Sequence, residues 1–168
     1  MREILFHGKR LSDGQWIEGS LLVLGERRFI IPNEELLDGE KLPTIYWAIV
    51  RKTCEVDPKT VGQYTGRCAR CGTKIFEGDV VKASCTYEYP FQIDEESSQE
   101  KEFVVAGTVE YHEGYNAFGI RGIYDDTEFH FLFNFGDITI LGNIHDNPEL
   151  VSGAYRLEDY HGTVHRPE

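Results

Sequence analysis

Two cysteines in one short turn carry the most specific chemistry in the sequence. The segment Arg67-Cys68-Ala69-Arg70-Cys71-Gly72-Thr73 has the form of a zinc knuckle. Two thiolates at this spacing can hold one Zn²⁺ at a Zn–S distance of about 2.3 Å, with the amides of the turn directed at sulfur. Arg67, Arg70 and Lys74 would favour the thiolate form. Tetrahedral zinc takes four ligands, however, and the sequence has no second Cys-x-x-Cys. The other two cysteines fall in strand patterns. Cys54 is in register with Ala48, Val50 and Val56, and Cys85 with Val81, Ala83 and Tyr87. Both read as small core residues. Cys68 and Cys71 are therefore the metal candidates, and zinc is the cofactor they suggest, held within one chain or shared between two subunits with two ligands each. The plainer reading, an ordinary turn with two thiols and no cofactor, is preferred. A thioredoxin-type dithiol sits at a helix start in a βαβ context, and neither is present.

No other group of residues points to a reaction. His161 and His165 are four apart, with Glu158 and Asp159 close by, but Gly162 and Thr163 are poor helix formers, so the segment reads as a solvated tail. Asp125, Asp126 and Glu128 read as a solvated acidic turn. Gly114-Tyr-Asn-Ala-Phe-Gly119 spaces its glycines wrongly for a phosphate loop and reads as a strand connection. Gly-x-Ser-x-Gly is absent. With 29 acids in 168 residues, neighbouring carboxylates are expected by chance, so no pair is singled out as acid and base. The sequence thus predicts a non-enzyme, with no catalytic and no cofactor-binding residues.

The elements that would position these residues are strands. Phe129, Phe131, Phe133 and Phe135 alternate with His130, Leu132 and Asn134, which predicts one strand with four rings on one face. Period-two runs also cover Val81 to Tyr89 and Phe103 to Tyr111. Trp16 to Leu24 and Ile45 to Val50 are further strands, with shorter ones at Ile4 to His7, Arg28 to Ile31 and Ile138 to Leu141. Turn dipeptides such as Asp13-Gly14 and Glu113-Gly114 separate the runs. Helical signals are limited to single turns near Pro32, Pro58 and Pro148. Asp94 to Glu102, five acids with one Lys, reads as a hairpin loop. Tyr87, Tyr89, Phe91, Tyr111, Tyr115, Phe118 and Tyr124 lie near strand ends, where rings either fill a core or form a binding face.

Charge and hydropathy exclude several classes. The chain carries 17 Lys+Arg against 29 Asp+Glu, a net charge of −12, which argues against bulk nucleic-acid binding and favours basic partners. No stretch approaches the roughly 18 apolar residues of a membrane span. The opening Met1-Arg-Glu-Ile-Leu-Phe-His-Gly-Lys has no apolar core of a signal peptide, so a reducing cytoplasm is expected.

Four stretches together resemble the YopX family of phage and prophage proteins. They are Met1 to Arg10 with Gly14-Gln-Trp-Ile-Glu-Gly-Ser20, Val56 to Gly66, Lys74-Ile-Phe-Glu-Gly-Asp-Val80, and Ile140 to Leu150. They occur in the family's order and span roughly residues 1–151. The resemblance implies a mostly-β protein with an SH3-like barrel in its C-terminal half, phage or prophage origin, and a tendency to oligomerise. It implies no activity and supplies no catalytic residues. The chain departs from the family pattern at 67–73, where relatives have a polar turn rich in Lys, Asp, Asn and Gly, and in the tail after Val151.

The combined expectation is an all-β protein: an N-terminal β region over 1–57, a linking segment over 58–73, a small SH3-like β barrel over 74–154 and a polar tail over 155–168. Its expected role is that of a self-assembling, non-enzymatic module, a homo-oligomer that binds an unknown host or phage protein in the bacterial cytoplasm. Nucleic acid and membrane are not expected partners. The alternative is a zinc-knuckle nucleic-acid or regulatory module.

Overall fold

The computed structural model describes residues 3–33, 54–87, 101–123 and 129–152, with backbone alone at 86–87 and 101–102. The fold is all-β, as the period-two runs predict: among the described residues its elements are eleven strands and three short 3-10 turns. The chain divides into two compact units, Met1–Arg67 and Cys68–Glu168. The stretch 58–73, expected as a link, holds a 3-10 turn at Pro58–Thr60 and the whole of the strand Gly62–Cys68.

In the first unit, strands β1 (Phe6–Lys9), β2 (Trp16–Leu24), β3 (Arg27–Ile31), β4 (Glu55–Val56) and β5 (Gly62–Cys68) lie in the order β4-β3-β2-β1-β5. Gly25 at φ +61 begins the two-residue turn between β2 and β3, the place where a type II′ hairpin needs glycine. Phe29, Ile30 and Val56 are fully buried, and Cys54 packs beside Phe29 and Ile31 as its register predicts. Arg27 from β3 grips the Glu55 carboxylate of β4 with two hydrogen bonds, Nε to Oε1 at 2.7 Å and Nη2 to Oε2 at 2.8 Å. That hydrogen bonding raises the Arg27 pKa further. The 3-10 turn starts where the Asp57 carboxylate accepts the Lys59 amide and Pro58 takes the first helical position.

The second unit opens with β6 (Lys74–Phe76) and continues with β7 (Asp79–Tyr87), β8 (Lys101–His112), β9 (Ala117–Gly122), β10 (Phe129–Phe131) and β11 (Asp137–Asn143). Strands β7 to β10 form a meander, and β11 returns to β7, giving the order β10-β9-β8-β7-β11. Such a return of the last strand to the first is what a small barrel requires. No ladder among the described residues joins β10 to β11, so over these residues the sheet does not close into the expected SH3-like barrel. The reason is local: β10 ends after three residues, and a 3-10 turn at Leu132–Asn134 carries the chain away toward β11. One face of the sheet holds the core, where Val81, Ala83, Val105, Val109, Ile120, Ile138 and Ile140 interdigitate, with Cys85 and Phe103 packed against them. On the other face Val80 and Leu141 meet Leu150 of the 3-10 turn Pro148–Val151.

The Phe-rich run needs a correction. Residues 129–135 are not one strand, and their four rings do not share a face. After Phe131 the 3-10 turn points Leu132 and Phe135 into the core, at 2% and 3% exposure, and leaves Phe133 at 68%. Leu132, the one aliphatic residue of the run, takes the core position, and the alternation breaks there.

Candidate functional site

The cysteine turn joins β5 to β6. The Ala69 N–H donates to the Thr73 carbonyl at 2.8 Å, and the Gly72 N–H donates to the Ala69 carbonyl at 2.9 Å. Gly72 sits at φ +89, a left-handed conformation that side chains resist. Ala69 is buried in the core of the second unit, and the Arg70 N–H donates to the Ile138 carbonyl of β11 at 2.9 Å. The turn is thus anchored, while Cys68, Arg70, Cys71 and Gly72 stay exposed at its tip. The Cys71 sulfur lies 3.1 Å from the Thr73 hydroxyl. Hydrogen bonding from that hydroxyl, and next from the Thr73 backbone, holds the Cys71 thiol below its ordinary range, against a small opposing effect of burial. Arg70 approaches Asp137 at 3.9 Å, but both side chains are exposed and the pair adds little. Among the described residues, no group of three or more His, Cys, Asp and Glu gathers that could hold a metal.

The second site is the outer face of the meander. Phe129 lies opposite Arg121, Phe131 opposite Gly119, and His112 opposite Ala117, so these side chains share one face. Gly119 is required there: a Cβ would stand 2.3 Å from the Phe129 ring and 2.6 Å from the His130 carbonyl oxygen. Arg121 donates from Nε to Glu110 at 2.8 Å, with Nη2 on the same carboxylate oxygen. Its guanidinium lies 5.5 Å from the Phe129 ring centre, within cation–π range. The turn after β8 adds Tyr115, whose ring stands 4.5 Å from His112, 5.8 Å from Phe129 and 5.2 Å from Phe131. Phe133 stacks on Phe131 at 5.2 Å with 17° between the planes. The result is a continuous set of rings whose outermost members, Tyr115 and Phe133, are 58% and 68% exposed. Within it, His112 Nδ1 is buried and has no hydrogen-bond partner among the described residues.

Sequence reasoning separated these rings into a Phe strand and a set of strand-end tyrosines. It missed that Tyr115 and the outward Phe residues meet, and it missed His112, Arg121 and Glu110. Of the strand-end rings, Phe118 is core and Tyr111 is partly exposed. Tyr89, Phe91, Tyr124, Asp125, Asp126, His161 and His165 lie outside the described residues. His7 is a core residue packed on Trp16 at 4.5 Å.

A third cluster is structural. The Asp79 carboxylate is fully buried at the start of β7. It accepts the Phe76 amide at 2.9 Å and the Asn143 side-chain amide at 3.1 Å. The Asn143 side-chain oxygen in turn accepts the His145 amide at 3.0 Å. Gly142 lacks a Cβ where one would stand 2.4 Å from the Asn147 side-chain oxygen. Two of the stretches that carry the family resemblance, 74–80 and 140–150, therefore meet in a single hydrogen-bonded knot. The family model described as YopX protein matches residues 25–152, which include both. The chain belongs to the YopX family. No curated protein matches it. The YopX match starts at residue 25, so the first stretch of the resemblance lies outside it. It does include the cysteine turn and the ring face.

Proposed function

We propose that this YopX-family protein is a non-enzymatic binding module of a phage or prophage, acting in the bacterial cytoplasm and assembling with itself. Its working surface is the ring face of β8 to β10, and the partner is a protein that presents basic side chains there. The observation that carries this reading is the exposure of Tyr115 and Phe133 at the rim of one continuous aromatic set. Exposed rings give large contact area at small entropic cost. Two facts support the basic chemistry of the partner. Arg121 already rests on Phe129, so rings of this face accept a guanidinium. The net charge of −12 steers cationic surfaces toward the chain.

The test compares the wild-type chain with a Tyr115→Ser/Phe133→Ser variant as bait in nuclease-treated host lysate. Both changed side chains are exposed, so the variant folds. The expected result is a protein retained by the wild type, released by salt and lost from the variant. Identical retention by both baits would refute the surface. Retention seen in a matched untreated lysate and lost with nuclease would favour the nucleic-acid reading.

A further inference from the structure

The cysteine turn does something that the ring face does not explain. It is held rigidly, by Ala69 in the core and by the Arg70 amide on β11, yet its two sulfurs gather no third or fourth metal ligand among the described residues. We propose that Cys68 and Cys71 form half of a tetrathiolate zinc site, completed by the same two cysteines of a second copy of this chain.

Three observations carry the proposal. First, the spacing suits a chelating pair. The cysteines are separated by two residues in a closed turn whose Gly72 adopts the left-handed conformation, so the turn is set before metal arrives. Second, the tip is open to a partner: Cys68, Arg70, Cys71 and Gly72 are all exposed, and two such tips can approach without displacing core. Third, the charge fits a bridging dianion. One Zn²⁺ and four thiolates sum to −2, and each tip brings Arg67, Arg70 and Lys74 in a chain that is otherwise strongly acidic. Apposing two cationic tips is unfavourable unless a negative centre lies between them, and the tetrathiolate supplies one. Zinc displaces one proton from each of four thiols, and no oxidant or reductant is involved.

The experiment uses the full chain, purified reduced, and Zn²⁺ alone as probe. Metal content and mass in solution are measured together, with and without chelator, for the wild type and for Cys71→Ser. The expected result is one zinc per two chains, with an apparent mass that doubles on adding zinc and returns on chelation. Cys71→Ser, exposed and hence folded, should lose both. Cobalt in place of zinc should give the intense thiolate-to-metal absorption and strong visible bands of a tetrahedral sulfur site. One zinc per chain in an unchanged assembly would overturn the proposal, because the ligands would then come from one chain. Absence of stoichiometric zinc would overturn it as well. Neither outcome touches the ring face, whose variants leave this turn intact.

Discussion

The buried Asp79–Asn143 pair allows a test of how the second unit is held together. Asp79→Ala removes the carboxylate that accepts from the buried Phe76 N–H and from the Asn143 side-chain amide. Each such loss costs about 1–3 kcal/mol, so the pair together costs about 2–6 kcal/mol. That is a large share of the roughly 5–15 kcal/mol that holds a domain. Asp79→Asn is subtler. Its oxygen still serves Phe76, but its amide faces the amide of Asn143, and the expected cost is about 1–3 kcal/mol. Asn143→Asp sets two carboxylates at the 3.1 Å separation of the present hydrogen bond. The exchange variant, Asp79→Asn with Asn143→Asp, can remake the hydrogen bonds to Phe76, to His145 and between the two side chains. The amide introduced on β7 would donate to the new carboxylate and keep its oxygen on Phe76, while the second oxygen of the carboxylate would take the His145 amide. Urea unfolding followed by far-ultraviolet circular dichroism, on the wild type and these variants at pH 7, gives the coupling. The exchange should be more stable than either single variant, with a coupling of about 1–3 kcal/mol. Lowering the pH should also narrow the defect of Asn143→Asp, because a protonated carboxyl can again donate to Asp79. An exchange variant no more stable than its weaker parent would refute the account.

Three further outcomes follow from single sites. Gly119→Ala should force Phe129 off the sheet and cost about 1–3 kcal/mol, read by thermal unfolding together with a changed near-ultraviolet aromatic signal. Phe29→Ala, at a fully buried position, should cost about 3–5 kcal/mol in denaturant unfolding. Alkylation of Cys71 by iodoacetamide should rise through a midpoint below that of a free cysteine. Since the Thr73 hydroxyl is the leading cause, Thr73→Val should move that midpoint upward, as mass-resolved labelling across pH will show.

The strands with unbroken alternation were legible. Trp16–Leu24 forms over the residues its pattern marks, and the runs starting at Val81 and Phe103 fall in β7 and β8, with Val81, Ala83, Cys85, Phe103, Val105 and Val109 on the core side. The shorter runs at Ile4–His7, Arg28–Ile31 and Ile138–Leu141 were legible too, as Phe6–Lys9, Arg27–Ile31 and Asp137–Asn143, but the shortest strands were not. Glu55–Val56 and Lys74–Phe76 hold too few residues to show a period and form because neighbours offer ladder partners. Ala117–Gly122 carries two glycines, and at Gly119 a ring and a carbonyl close in, which hides its alternation. The Phe run misled because a perfect alternation continued through a 3-10 turn. The position of Leu132, aliphatic among rings, marks where the core takes hold. The cysteine turn was visible from spacing alone. The ring face was not, because it brings together a turn residue and a strand that are distant in sequence.

The return of β11 to β7 also governs the order in which the chain can become safe. During synthesis β7 is complete at Tyr87, yet its second partner begins only at Asp137. At roughly 5–20 residues per second, that gap lasts several seconds. Through it, one side of β7 is an open edge beside Val80 and Val81, side chains that are fully buried at the end. Lys82 and Asp79 on the same strand are the charges available to discourage pairing with another nascent chain. A transcript cut before codon 137 would release a product fixed in that state, with a template edge that nothing later in the chain can cover.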